Sequence, residues 1–185
     1  MSAAQWDELA KGRVRARKIW RACAVAKFSG WIMMFCAVVT FLGSMLQRDW
    51  LSAVLGLVIA VAAANELKGG AEMRRFDPRG PVRLGWNQIA VGLLIVLYAA
   101  WAIWDALHGD ALKELRPMSK ELASLGIDVD GIAQQVSTLA LGALAMFGIV
   151  VPGATAWYYF SRAKLVKKMR HQTPPWVIEM INVAG

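Results

Sequence analysis

Uncharged apolar runs of membrane-spanning length recur four times along the chain, at about 28–46, 50–66, 86–107 and 136–160, with polar segments between them. A bilayer core takes about 20 apolar helical residues at 1.5 Å each. In hydrocarbon the backbone must satisfy its own N–H and C=O groups, so each run is predicted to be helical. The first two runs are separated only by Gln47-Arg48-Asp49, which leaves room for a tight turn and makes them an antiparallel hairpin. The expected fold is therefore all-α: a four-helix transmembrane antiparallel bundle with short amphipathic extra-membrane helices, forming a single polytopic membrane domain over 1–185.

The polar segments have distinct characters. Residues 1–27 interleave seven cations with Trp6, Leu9, Val14, Ile19 and Trp20. They read as a helix in or near the interface that feeds the first span, although these large apolar positions fall on no single stripe. Between spans two and three, Gly69-Gly70, Asp77-Pro78 and Gly80-Pro81 predict an irregular loop over 68–85. Residues 108–135 are polar and mildly acidic. There Pro117 ends one helical piece, Ser119 caps another, and Asp128 caps the fourth span. Beyond Phe160 a basic helical stretch runs to Thr173-Pro174-Pro175, followed by the short apolar segment WVIEMINVAG.

Composition sharpens this picture. The chain is 57% hydrophobic and 18% charged, with a mean hydropathy of +0.42, outside the range of ordinary soluble domains. Its net charge of +8 would suit nucleic acid, but 17 of the 21 Lys and Arg lie in the N-terminal segment, the 68–85 stretch and the tail. Such blocks beside apolar runs are the signature of topology, so nucleic acid is not an expected partner. The remaining four cations, Arg48, Lys113, Arg116 and Lys120, occupy the opposite loops. The bias alternates correctly at every loop, which predicts both termini in the cytoplasm of a bacterial plasma (inner) membrane. Trp50, Trp101 and Trp104 fall at one predicted boundary, and Trp31, Trp86 and Trp157 at the other, as interfacial indoles do. The basic stretch before Phe28 is too long for a cleavable leader, so the first span is expected to stay as an anchor.

Candidate interaction residues follow from helical spacing. Ser52, Gly56, Ala60 and Ala64 repeat every four positions, a small-residue face for close helix packing within the subunit or between copies. Gly148, Pro152 and Gly153 predict a kink in the fourth span, static or hinging. Arg74, Arg75, Arg79 and Arg83 could join Asn65, Glu66, Asn87 and Gln88 in a cluster for anionic lipid headgroups; the simpler reading is interfacial capping. The tail segment could dock on a partner, on the 68–85 stretch, or in the lipid surface.

Candidate chemistry is sparse. From Phe28 to Leu46, Trp50 to Asn65, Ile89 to Trp104 and Val136 to Phe160 there is no Asp, Glu, Lys, Arg or His. Proton-coupled carriers and voltage sensors need such groups at depth. Asp128-Val129-Asp130-Gly131 resembles only a fragment of a calcium loop. Cys23 and Cys36 form neither a metal pair nor an expected disulfide, and His108 beside Asp105 and Asp110 makes no hydrolytic site. No catalytic, cofactor or metal residues are assigned. The expectation is a non-catalytic structural or accessory subunit acting through helix packing and a basic cytoplasmic face, its partners being the bilayer, anionic lipids, and another membrane protein or itself. A small homo-oligomeric channel is the alternative, and a lipid-modifying enzyme ranks below both.

Overall fold

The computed structural model describes residues 2–108 and 129–184, which form five helices and, among the described residues, no strand. They are α1 (Ala3–Gln47), α2 (Trp50–Arg74), α3 (Arg79–His108), α4 (Val129–Gln172) and α5 (Pro175–Ala184). The first four are each long and apolar enough to cross a membrane, as the all-α four-span reading requires. Asp110, Lys113, Arg116, Pro117, Ser119, Lys120 and Asp128, together with the side chain of His108, lie outside the described residues.

Two compact units partition the chain. One joins the chain up to Gln88 with residues 155–185, and the other holds residues 89–154. In the first unit α1 and α2 form the expected antiparallel hairpin. Gly56 lies against Phe41 and Ala37, Gly30 against Leu67, and Gly70 against Ala26, so positions ascend on one helix as they descend on the other. Arg48 makes the reversal with φ of 57°. Its N–H donates to the Met45 carbonyl and that of Asp49 to Ser44, the two bonds of a Schellman ending. Asp49 then caps α2, its Oδ1 accepting from the N–H groups of Leu51 and Ser52 at 3.1 and 3.2 Å.

The N-terminal segment is helical and feeds the first span directly, forming the first half of α1, begun by a capping box between Ser2 and Gln5. A buried stripe does exist: Leu9, Gly12, Ala16, Ile19, Cys23, Ala26, Gly30, Ala37 and Ser44 recur at steps of three, four or seven. This is the 3.5-residue seam of a coiled coil. Most of its members are small, so a search for large apolar residues misses it; Trp6 and Val14 are exposed instead.

The expected loop over 68–85 is also corrected. Helix α2 runs through Gly69-Gly70 to Arg74, and α3 begins at Arg79, so only residues 75–78 turn. Phe76 adopts φ of 57°, with its N–H donating to Met73 and that of Asp77 to Glu72, a second Schellman ending. The left-handed conformation costs a non-glycine residue about 1–2 kcal/mol, and Phe76 is held there by burial of its ring in the core. Asp77 Oδ1 accepts the Arg79 N–H at 2.9 Å and opens α3. Pro81 sits in the first turn of α3, where a helix has no use for the missing N–H. Gly69 and Gly80 are where α2 and α3 touch. A Cβ on Gly80 would lie 2.5 Å from the Met73 nitrogen and 2.7 Å from the Gly69 carbonyl oxygen.

Packing density is concentrated at the end carrying both termini. Leu9, Ile19, Met73, Phe76, Leu84, Tyr159, Val166, Met169, Val177 and Ile181 belong to one core cluster there. The tail is part of it. Helix α5 lies on the first half of α1, with Val177 and Ile181 buried and a Cβ on Gly12 only 2.8 and 3.1 Å from their side chains. The long helices therefore continue past their apolar runs into a small helical head with its own apolar interior.

In the second unit α3 and α4 run antiparallel, Gly92 beside Gly148 and Pro152, and Ile95 beside Gly148. Helix α4 passes unbroken through Pro152. Proline has no N–H for the carbonyl of Gly148 four residues earlier, and that oxygen lies 2.6 Å from where a Gly92 Cβ would stand.

Candidate functional site

One buried polar cluster stands out among the described residues, at the neck between the spans and the head. Glu66 is fully buried, one position beyond the stretch of span two that the sequence leaves free of charge. Helix α2 places it on the same seam as Ala63 and Gly70. Asn87 donates from Nδ2 to Glu66 Oε2 at 2.8 Å and also to the Ala62 carbonyl at 3.0 Å. Gln88 Nε2 and the Tyr159 hydroxyl both donate to Oε1, at 3.1 and 3.0 Å. Three helices, α2, α3 and α4, thus converge on one carboxyl.

Each partner is where it is for a local reason. Asn87 and Gln88 lie two turns into α3, and with Leu84 they share its buried face. Tyr159 lies on the α4 face that carries Ala156 and Val166 into the core. An amide or hydroxyl buried without a partner costs about 1–3 kcal/mol, so the cluster fixes the register of three helices at once. The donors are neutral amides and a phenol, with no metal-ligating set: no group of three or more His, Cys, Asp or Glu arranged for a metal ion exists among the described residues. The arrangement is a structural lock.

The expected cluster of Asn65, Glu66, Asn87 and Gln88 with four arginines is accordingly divided. Glu66, Asn87 and Gln88 are drawn inward, and Tyr159, which carries no charge or motif to flag it, completes them. Asn65 is half-buried outside the cluster. Arg83 pairs with Glu72 at 3.1 Å across the turn between α2 and α3, while Arg74, Arg75 and Arg79 are exposed on the head. Of the small-residue face, Gly56 is buried against α1, Ser52 and Ala60 are half-buried, and Ala64 is exposed. Gly148 and Pro152 are buried against α3, and Gly153 faces open space.

Around this neck the head presents cations. Lys11, Arg13, Arg15, Arg17, Lys18 and Arg21 line the outer face of α1, and Lys164, Lys167, Lys168 and Arg170 that of α4. Arg162 stacks over the Tyr158 ring at 4.5 Å, and its buried Nε has no hydrogen-bond partner among the described residues. Cys23 lies on the inner face of α1, where burial pushes its thiol up to about 11 despite the opposing charge of nearby Arg74. Cys36 is exposed on the span. Trp31, Trp50, Trp86, Trp101, Trp104 and Trp157 are all exposed on helix surfaces, and Trp86 also meets Phe160 edge-on.

No protein-family model, curated protein or solved structure matches this chain.

Proposed function

We propose that this four-span membrane protein is a non-catalytic accessory or structural subunit, which holds a partner membrane protein through its span surfaces and its basic head. The observation that carries this reading is the head itself. All four long helices extend beyond their apolar runs, enclose an apolar core sealed by α5, and turn a set of cations outward. Such a head is a rigid cationic surface on a membrane anchor, suited to acidic surfaces and anionic leaflets. The Glu66 cluster supports the same reading, since its donors are spent on joining helices. The face around Gly56 is packed against α1 within one chain, which favours an intrasubunit role for it over a pore seam.

The asymmetry of Lys and Arg supports a head on the cytoplasmic side of a bacterial inner membrane. An impermeant amine reagent on intact cells is then expected to modify Lys120 and spare Lys168; the reverse pattern would overturn this orientation. For function, the test is purification in mild detergent followed by reconstitution. A stoichiometric complex with a different membrane protein is expected, weakened when Lys164, Lys167 and Lys168 are all changed to Gln, and liposomes holding the chain alone should be ion-tight. A lone monomer, or a steady ion flux, would sink the proposal.

A further inference from the structure

A groove of about 510 Å³ runs between α1 and α2 where the spans meet the head. Its two walls have the same helical period: Trp20, Cys23, Ala24 and Lys27 on α1, facing Leu67, Gly70, Ala71 and Arg74 on α2. The trough exists because Ala24, Gly70 and Ala71 are too small to fill the space between the helices. The Lys27 backbone is level with Gly70, whose Cβ would lie 3.9 Å from the Lys27 backbone nitrogen. Arg74 is one turn further out along α2, about 6 Å by helical rise. Both cations are exposed at the rim of the groove.

We propose that this groove is a specific binding site for an anionic phospholipid, its phosphate held between Lys27 and Arg74 and the start of an acyl chain laid along Leu67 toward the span. The depth agrees with that occupant. Phe28 and Glu66, at which the apolar runs begin and end, are the immediate neighbours of Lys27 and Leu67, so the groove lies at headgroup level. Trp20 supplies an indole of the kind that partitions there. The lining is predominantly apolar with two cations one helical turn apart at its outer end, which fits a lipid better than a soluble anion. Pockets of this size accept ligands of headgroup dimensions. This site is separate from the arginines at 75, 79 and 83, and binding holds whichever compartment the head faces.

The test is native mass spectrometry of the purified full chain, offered phosphatidylglycerol and phosphatidylcholine in equal amounts. The expected result is retention of phosphatidylglycerol by about thirtyfold over phosphatidylcholine, a preference of the size that two surface cations confer. That preference should fall to about twofold or less in Lys27→Gln/Arg74→Gln and persist in Arg75→Gln/Arg79→Gln. Ala71→Leu, which fills the groove without altering charge, should lower retention of both lipids and provides the reading if the double variant does not fold. An unchanged preference in Lys27→Gln/Arg74→Gln, or unchanged retention in Ala71→Leu, would overturn the site. Displacement of the lipid by an equal concentration of glycerol phosphate would make it a plain anion site and overturn the lipid assignment.

Discussion

The Tyr159 hydroxyl donates to Glu66 Oε1 at 3.0 Å, joining α4 to α2 across 93 positions of sequence. Asn87 and Gln88 add α3 to the same carboxyl, so the neck of this protein is held by one acidic side chain and three neutral donors.

Loss of Glu66 should therefore exceed loss of any donor. Glu66→Ala takes the acceptor from Gln88 and Tyr159 and leaves Asn87 only the Ala62 carbonyl, and is expected to destabilise by about 2–4 kcal/mol, against about 1–2 for Tyr159→Phe. Glu66→Gln keeps an acceptor but sets an N–H₂ against other donors, and should fall between. Unfolding titrations in mixed micelles read the order directly, and a smaller loss for Glu66→Ala than for Tyr159→Phe would remove the carboxyl from the centre of the cluster.

Two glycines on the α3–α4 pair should behave oppositely. A Cβ at Gly92 meets the Gly148 carbonyl at 2.6 Å and the Pro152 ring at 3.0 Å, whereas one at Gly153 meets nothing within 4 Å. Gly92→Ala should cost about 1–3 kcal/mol through overpacking. Gly153→Ala should be neutral, or stabilising by up to about 1 kcal/mol through helix propensity. Comparable losses for both would mean that the second glycine is needed for bending. For the same geometric reason Gly56→Leu tests hairpin packing, since its side chain would enter the α1 backbone near Phe41.

The tail is expected to be structural. Val177 and Ile181 bury their side chains against Gly12, so Val177→Asp or Ile181→Asp should each remove at least about 1.5–3 kcal/mol of apolar burial. Limited proteolysis should then cut within 173–176 in the variants and spare the wild type. Equal cleavage in both would detach α5 from the head.

Cys23 gives the fold a pH dependence of known sign. Burial raises its thiol from 9.0 to about 11, so the folded state holds that proton after the unfolded state has released it. The resulting stabilisation is complete below pH 9 and declines as pH rises from about 9 to 11. A Cys23→Ser variant should lack this part of the alkaline decline, seen as a flatter melting temperature against pH.

The four crossings, the hairpin turn at Arg48 and the clustering of cations near both termini were all legible in the order of residues. They depend on run length and charge position, which are local properties that a bilayer reads directly. The head was hidden for a different reason. Its seam on α1 is built from Gly12, Ala16, Ala26 and Gly30, whose value is the space they leave, and space has meaning only once a second helix fills it. Helix α2 likewise outran its sequence signals. Gly69-Gly70 looks like a break until Leu84 and the Gly80 backbone occupy the surface it exposes, and Phe76 takes a glycine's conformation because core burial holds its ring. Tyr159 and Glu66 lie far apart in the chain, and no spacing rule relates them. Sequence alone determined which four segments are apolar enough to span a bilayer, because that is a matter of transfer free energy per segment. Tertiary structure decided which polar groups are buried together, because partners drawn from three helices meet only through packing.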